Sequence, residues 1–210
     1  MSTTVREILS AASAVLWDFD GVLLDSMAVR DAAFRHVLRD YPTDKVETLV
    51  AWHRLNGGLS RYVKFRRFRR EIVPMPEDEA MVQAWASAFS DYCKKNLLDA
   101  NLRIPTTHAL LPHLADSVPM HIVSGSDGVE LRALCAAHEL TQFFKSIEGS
   151  PTPKNDLVAG IMQNYGYAPV HTWLIGDSQN DLEAARHNGL QFMGFGNPDL
   201  AAVADAYWEG

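Results

Sequence analysis

The stretch "WDFDGVLLDS" places Asp18 and Asp20 one residue apart, directly after the apolar run Ala14-Val15-Leu16-Trp17. Residues two apart on an extended chain point to the same side. Both carboxylates can therefore face one space beyond the end of a strand. Two like charges raise each other's pKa unless something positive offsets them. A divalent cation does this best, and Mg²⁺ takes oxygen ligands while keeping several waters. More acid is at hand: "GDSQND" sets Asp177 at the end of another apolar run, with Asp181 one helical turn beyond it. Gly21 lets the chain turn sharply away after the pair.

Ser124 closes the run Met120–Val123. Its hydroxyl, with the backbone amides of Gly125 and Ser126, could hold an anion at a helix N-terminus. Lys154 lies in "SPTPKND", a loop stiffened by Pro151 and Pro153. A point charge there could hold a phosphate and keep Asp18 ionised. A carboxylate nucleophile, a hard cation, a hydroxyl, an amide nest and a lysine together suit phosphoryl transfer through an aspartyl-phosphate.

"DFDGVLLDS", "VSGS", "PTPK" and "GDSQND" resemble, in order, the four motifs of the haloacid dehalogenase superfamily, over nearly the whole chain. Among its members the chain looks most like the helical-cap phosphoglycolate phosphatase and β-phosphoglucomutase relatives. The resemblance implies that Asp18 attacks phosphorus. Asp20 would protonate the leaving oxygen and then deprotonate the hydrolytic water. Ser124, Gly125 and Lys154 would bind the phosphoryl oxygens. Asp18, the Asp20 backbone carbonyl and Asp177 would hold Mg²⁺, with Asp181 supporting the metal. True dehalogenases of the superfamily lack the second aspartate, so Asp20 points to a phosphate substrate; the resemblance to the capped relatives implies a small phosphomonoester, a sugar phosphate or a phosphoglycolate-like metabolite. Three alternatives stay open: a β-phosphoglucomutase-type mutase, a phosphonoacetaldehyde hydrolase using Lys64 as a Schiff-base amine, and a receiver-type signalling domain phosphorylated on aspartate.

These residues need strands to carry them. Apolar runs predict strands over Ala14–Phe19, Met120–Val123, Thr172–Ile175 and Gln191–Phe195, alternating with helical periodicity. That alternation predicts a doubly wound α/β core with a parallel sheet, its ligand site beyond the carboxyl ends of the strands. Asp127 with Glu130 has the form of a capping box. From Met27 to Arg103 the pattern is helical instead, an insertion of roughly 75 residues able to close over a substrate. The expected division is a core of residues 1–25 and 104–210 and a helical cap of residues 26–103.

Within the insertion, a helix is expected over Val63–Ile72. "SRYVKFRRFRR" reads mostly as a solvated face paired with acids. Arg61 is the exception, because it follows "NGGLS", a loop suited to dip toward the site and select substrate. The aromatic residues Trp52, Tyr62, Phe65, Phe68, Trp85, Phe89 and Tyr92 read as cap core. The 8 histidines form no metal-ligand spacing, and Cys93 and Cys135 read as buried free thiols. A net charge of −7 argues against a nucleic-acid partner. No run approaches the ~18 apolar residues of a membrane span, and the start of the chain does not read as a signal peptide. A cytoplasmic protein is expected.

Overall fold

The computed structural model describes residues 4–210. Its centre is a six-stranded parallel sheet of order β3-β2-β1-β4-β5-β6. The strands are β1 (Ala14–Trp17), β2 (Met120–Asp127), β3 (Ser146–Ser150), β4 (Thr172–Gly176), β5 (Gln191–Phe195) and β6 (Ala206–Trp208). All four residues of β1 are buried, as a central parallel strand covered on both faces requires. Val15 and Trp17 join one apolar cluster, while Ala14 and Leu16 join a second one on the other face. Leu16 aligns with His121 of β2 and Leu174 of β4. The three strands that carry the acidic and serine motifs therefore end side by side.

The helices of the core are α1 (Val5–Ser10), α6 (Pro105–Ala115), α7 (Gly128–Ala137), α8 (Lys154–Tyr165) and α9 (Gln179–His187). Between β1 and β2 lie α2 (Met27–Val37), α3 (Thr43–Leu55), α4 (Arg61–Arg67) and α5 (Glu79–Asn96), which make the helical cap. Its interior is aromatic. Phe34 lies 4.6 Å from Phe89 and 5.2 Å from Phe65, and Trp85 lies 5.6 Å from Phe65, between ring centres. Such offset and edge contacts add to the area they bury. The chain leaves the core and returns to it at neighbouring points. Leu24 bridges Arg103, the Asp25 amide donates to the Leu102 carbonyl at 2.8 Å, and the Ile104 amide donates to the Leu23 carbonyl at 3.2 Å.

Several elements differ from expectation. β1 stops at Trp17 because Phe19 has already turned out of the sheet, its carbonyl accepting from Leu23 and Leu24 amides. β2 continues past Val123 to Asp127, with a register shift against β3 between Ser124 and Asp127. The edge strands β3 and β6 carry no long apolar run: one is half-exposed "SIEGS" and the other is the three-residue "AYW". The helix expected over Val63–Ile72 begins at Arg61, capped by the Ser60 hydroxyl, and widens into a π turn over Phe68–Ile72. Asp127 caps α7 through the Val129 and Glu130 amides, but the reciprocal half of the box is missing because the Glu130 side chain faces the cap.

Candidate active site

β1 leads directly into Asp18, whose amide donates to the Ile175 carbonyl of β4 at 2.9 Å. Its side chain is buried, with Lys154 Nζ 2.8 Å from Oδ1. Lys154 opens α8 directly after Pro153 and also contacts Asp181. Asp181 in turn accepts from the Ser178 amide at 3.1 Å and the Ser178 hydroxyl at 2.6 Å, closing a capping box at the start of α9. Asp177 stands between these residues and Gly21. A side-chain carbon built on Gly21 would fall 2.0 Å from Asp177 Oδ2, and Gly21 has φ +77°.

Asp18, Asp177 and Asp181 each offer an oxygen within 4.8 Å of the others. Burial, then the Asp181 charge, push the Asp18 carboxyl up to about 7, against the opposing pull of Lys154. Burial and Asp18 push Asp177 well above the usual range. Burial disfavours the Lys154 ammonium, but Asp18 and Asp181 outweigh it and raise its pKa. Two buried carboxyls and a half-buried third share one lysine, so ionising all three leaves negative charge in excess. This donor set, all oxygen and cleared of any side chain at Gly21, fits a hard divalent cation such as Mg²⁺. The Asp20 side chain is not part of this group; it turns to Arg30, Ser26 and Ser126.

Asp20 accepts from Arg30 Nε at 2.6 Å, from the Ser126 hydroxyl at 2.6 Å and from the Ser26 hydroxyl. Burial alone would raise its pKa; Arg30 and the two hydroxyls reverse this and hold it below the usual carboxylate range. Ser124 is buried at the turn of β2, its hydroxyl accepting from the Ser126 amide at 3.1 Å. Beside it, Gly125 touches the cap loop so closely that an added side-chain carbon would fall 2.2 Å from the Gly58 carbonyl. The loop "NGGLS" therefore does reach the serine turn, through backbone.

Arg61 is buried rather than presented at the loop tip. It donates to Glu130 and to Ser90 and lies over the Phe89 ring at 4.6 Å. Lys64 is buried as well, 2.8 Å from His53 Nδ1 and 3.2 Å from the Gly57 carbonyl. Burial, then Arg30, lower its pKa to about 7. The rest of the basic run pairs with acids: Arg66 with Glu79 at 2.6 Å, Arg67 with Glu71 at 3.1 Å and Arg70 with Glu77 at 2.8 Å. Asp20, Arg30, His53, Arg61, Lys64 and Ser126 line a cavity of about 20 Å³. A wider cleft of about 560 Å³ opens beside Asp177, with Arg54 and Asn197 on its walls.

Sequence reasoning missed Arg30, the buried pairing of the Glu130 carboxylate and the contact of the Ser126 hydroxyl with Asp20. Arg30 and Glu130 had a signal: each shares a helix face with apolar residues, Phe34 and Val37 for the first and Leu134 for the second. A charge on a buried stripe needs a partner.

The haloacid dehalogenase-like hydrolase profile matches residues 15–195. A phosphoglycolate phosphatase of Photobacterium profundum is 26% identical over 208 residues, covering 91% of this chain and 89% of that one. Among solved structures, CbbY of Rhodobacter sphaeroides with xylulose-(1,5)bisphosphate aligns at TM-score 0.76 and 18% identity, covering 95% of this chain and 94% of that one. β-Phosphoglucomutase of Clostridium difficile aligns at TM-score 0.76 and 17% identity, covering 94% and 90%. These structures share the parallel sheet and its helical cap. With its motifs in order at adjoining strand ends, the chain belongs to the haloacid dehalogenase-like hydrolase family.

Proposed function

We propose that this hydrolase is a Mg²⁺-dependent phosphatase of a small phosphomonoester, a sugar phosphate or a phosphoglycolate-like metabolite. The observation that carries the reading is the Asp18 carboxylate, buried at a strand end 2.8 Å from the Lys154 ammonium and beside Asp177 and Asp181. Asp18, the Asp20 carbonyl, Asp177 and Asp181 would hold Mg²⁺, which supplies positive charge for the phosphoryl oxygens and the crowded acids. Asp18 attacks phosphorus to form an aspartyl-phosphate, while Ser124, Gly125 and Lys154 hold phosphoryl oxygens. Asp20, kept ionised by Arg30, is in the form that takes a proton from water. To give a proton to the leaving oxygen it must first part from Arg30 and take up a proton from solvent. Residues 26–103 form the cap that encloses the leaving group, and the enzyme acts in the cytoplasm on a metabolite, not on nucleic acid. Among the described residues no helix is long and apolar enough to cross a membrane.

A second reading, a phosphonoacetaldehyde-type hydrolase, is favoured by Lys64. Its amine is buried, brought down to about 7, and shares the small cavity with Asp20. One screen separates these readings. The protein is given Mg²⁺ and a panel of phosphorylated metabolites, with free phosphate and isomerised sugar measured in parallel. Phosphate release, lost by about a thousandfold or more in Asp18→Asn, is the expected result. Isomerisation without release indicates a mutase. Borohydride trapping of Lys64 with a carbonyl phosphonate selects the second reading. Phosphorylation of Asp18 without turnover selects a receiver domain.

A further inference from the structure

Glu130 lies in the first turn of α7, in the core, and its side chain is fully buried. Both of its oxygens are taken by guanidinium groups of the cap. Oε1 accepts from Arg30 Nη1 at 3.0 Å, and Oε2 accepts from Arg61 Nη1 at 2.5 Å. Arg30 belongs to α2 and Arg61 to α4. One core acid thus ties together two cap helices that are far apart in sequence. It also orients Arg30: with Nη1 held by Glu130, the Nε edge meets Asp20 at 2.6 Å. A guanidinium is a rigid planar fork, so fixing one edge fixes the other. Ser90 and the Phe89 ring brace Arg61 from α5, and the Tyr62 hydroxyl donates to Asp127 at 3.0 Å beside the same joint.

We infer that Glu130 is a positioning residue: it clasps the cap to the core through Arg30 and Arg61 and so sets where Arg30 meets Asp20. The second half of this inference rests on the proposed function of Asp20, whereas the clasp itself does not. Loss of the charge leaves two buried guanidiniums without their shared partner, and a buried pair broken on one side is strongly unfavourable. The cap can relieve this by lifting, which lets water reach both groups.

The test is amide hydrogen exchange and steady-state kinetics on Glu130→Gln, Glu130→Asp, Arg61→Met and the double variant Glu130→Gln/Arg61→Met. In Glu130→Gln, exchange at residues 57–60 and 124–127 should speed up by about tenfold or more, while β1 and β4 keep their rates. With p-nitrophenyl phosphate and Mg²⁺, kcat should fall by about tenfold or more with KM moving less than about threefold. Glu130→Asp, which keeps the charge, should restore much of both. Arg61→Met should reproduce the exchange pattern, and the double variant should be no worse than either single one, as expected for partners in one unit.

Unchanged exchange at 57–60 overturns the clasp. So does faster exchange spread evenly through β1 and β4, which would make Glu130 a residue of general stability. Additive effects of the two variants overturn it too, as does Arg61→Met reordering a substrate panel while Glu130→Gln does not. Should Glu130→Gln fail to accumulate, Arg61→Met carries the exchange arm by the same criteria. The exchange arm needs no substrate. A positive result there with no phosphomonoester hydrolysed would sink the proposed function and support the clasp; the reverse would sink the clasp alone.

Discussion

Gly21 shows how tightly single residues set this site. Its left-handed φ of +77° and the closeness of Asp177 Oδ2 both exclude a side chain there. Gly21→Ala is expected to cost about 1–3 kcal/mol and to weaken Mg²⁺ binding by about tenfold or more, since Asp177 must move. Thermal melts and Mg²⁺ titration of the purified variant check this, and unchanged Mg²⁺ affinity would contradict the part given to Asp177. Asp18, Asp20, Asp177, Ser124 and Lys154 could be found in the sequence because each is a polar residue at the end of an apolar run or in a proline-stiffened loop. For Arg30 and Glu130 the helix faces show that each needs a partner, but not which one. What Arg30 and Glu130 do depends on which helices meet in space, and the hundred positions between them carry no pattern that records the meeting.

The elements bring their own caps into the chemistry. Asp181 both closes the capping box of α9 and faces Lys154, so a helix start and a charged site share one side chain. At α7 the cap is Asp127, which accepts from two backbone amides and from Tyr62. Asp127→Ala should therefore lose about 1–2 kcal/mol of stability, with Tyr62→Phe losing less; urea midpoints of the two variants decide. Equal losses would mean that the tyrosine, not the amides, is what Asp127 serves. The central strands were readable because burial on both faces demands unbroken apolar runs. The edge strands β3 and β6 were not, since an edge needs neither an apolar run nor length.

For the whole molecule, the crowded acids link stability to pH and metal. Asp18 goes from an ordinary carboxyl value of 3.8 to about 7 on folding, and Asp177 moves the same way. A group whose pKa is raised by folding stabilises the fold below its unfolded value, and that contribution is lost as pH rises through the folded value. Between pH 4 and 7 Asp18 therefore increasingly opposes the metal-free fold, and Asp177 acts in the same direction. Mg²⁺ binds the ionised forms and should raise Tm more at pH 8 than at pH 5. Calorimetry with and without Mg²⁺ at both values measures this, and equal increments would show that the ion does not bind between these acids. The parallel sheet and the inserted helical unit followed from the alternation of apolar runs and its interruption. That the glycine loop approaches the site was expected too; the buried ion-pair cluster that joins cap to core was not, because its members lie far apart in sequence.

The paired crossings at Leu24 and Arg103 have a mechanical meaning. Two strands of chain bonded side by side bend together about one line and resist swivelling. The cap is joined to the core at adjacent points of the chain, so a turn about that line is the one displacement that leaves both crossings intact. Arg30 and Arg61 lie on the cap side of that line, and their shared partner Glu130 lies on the core side.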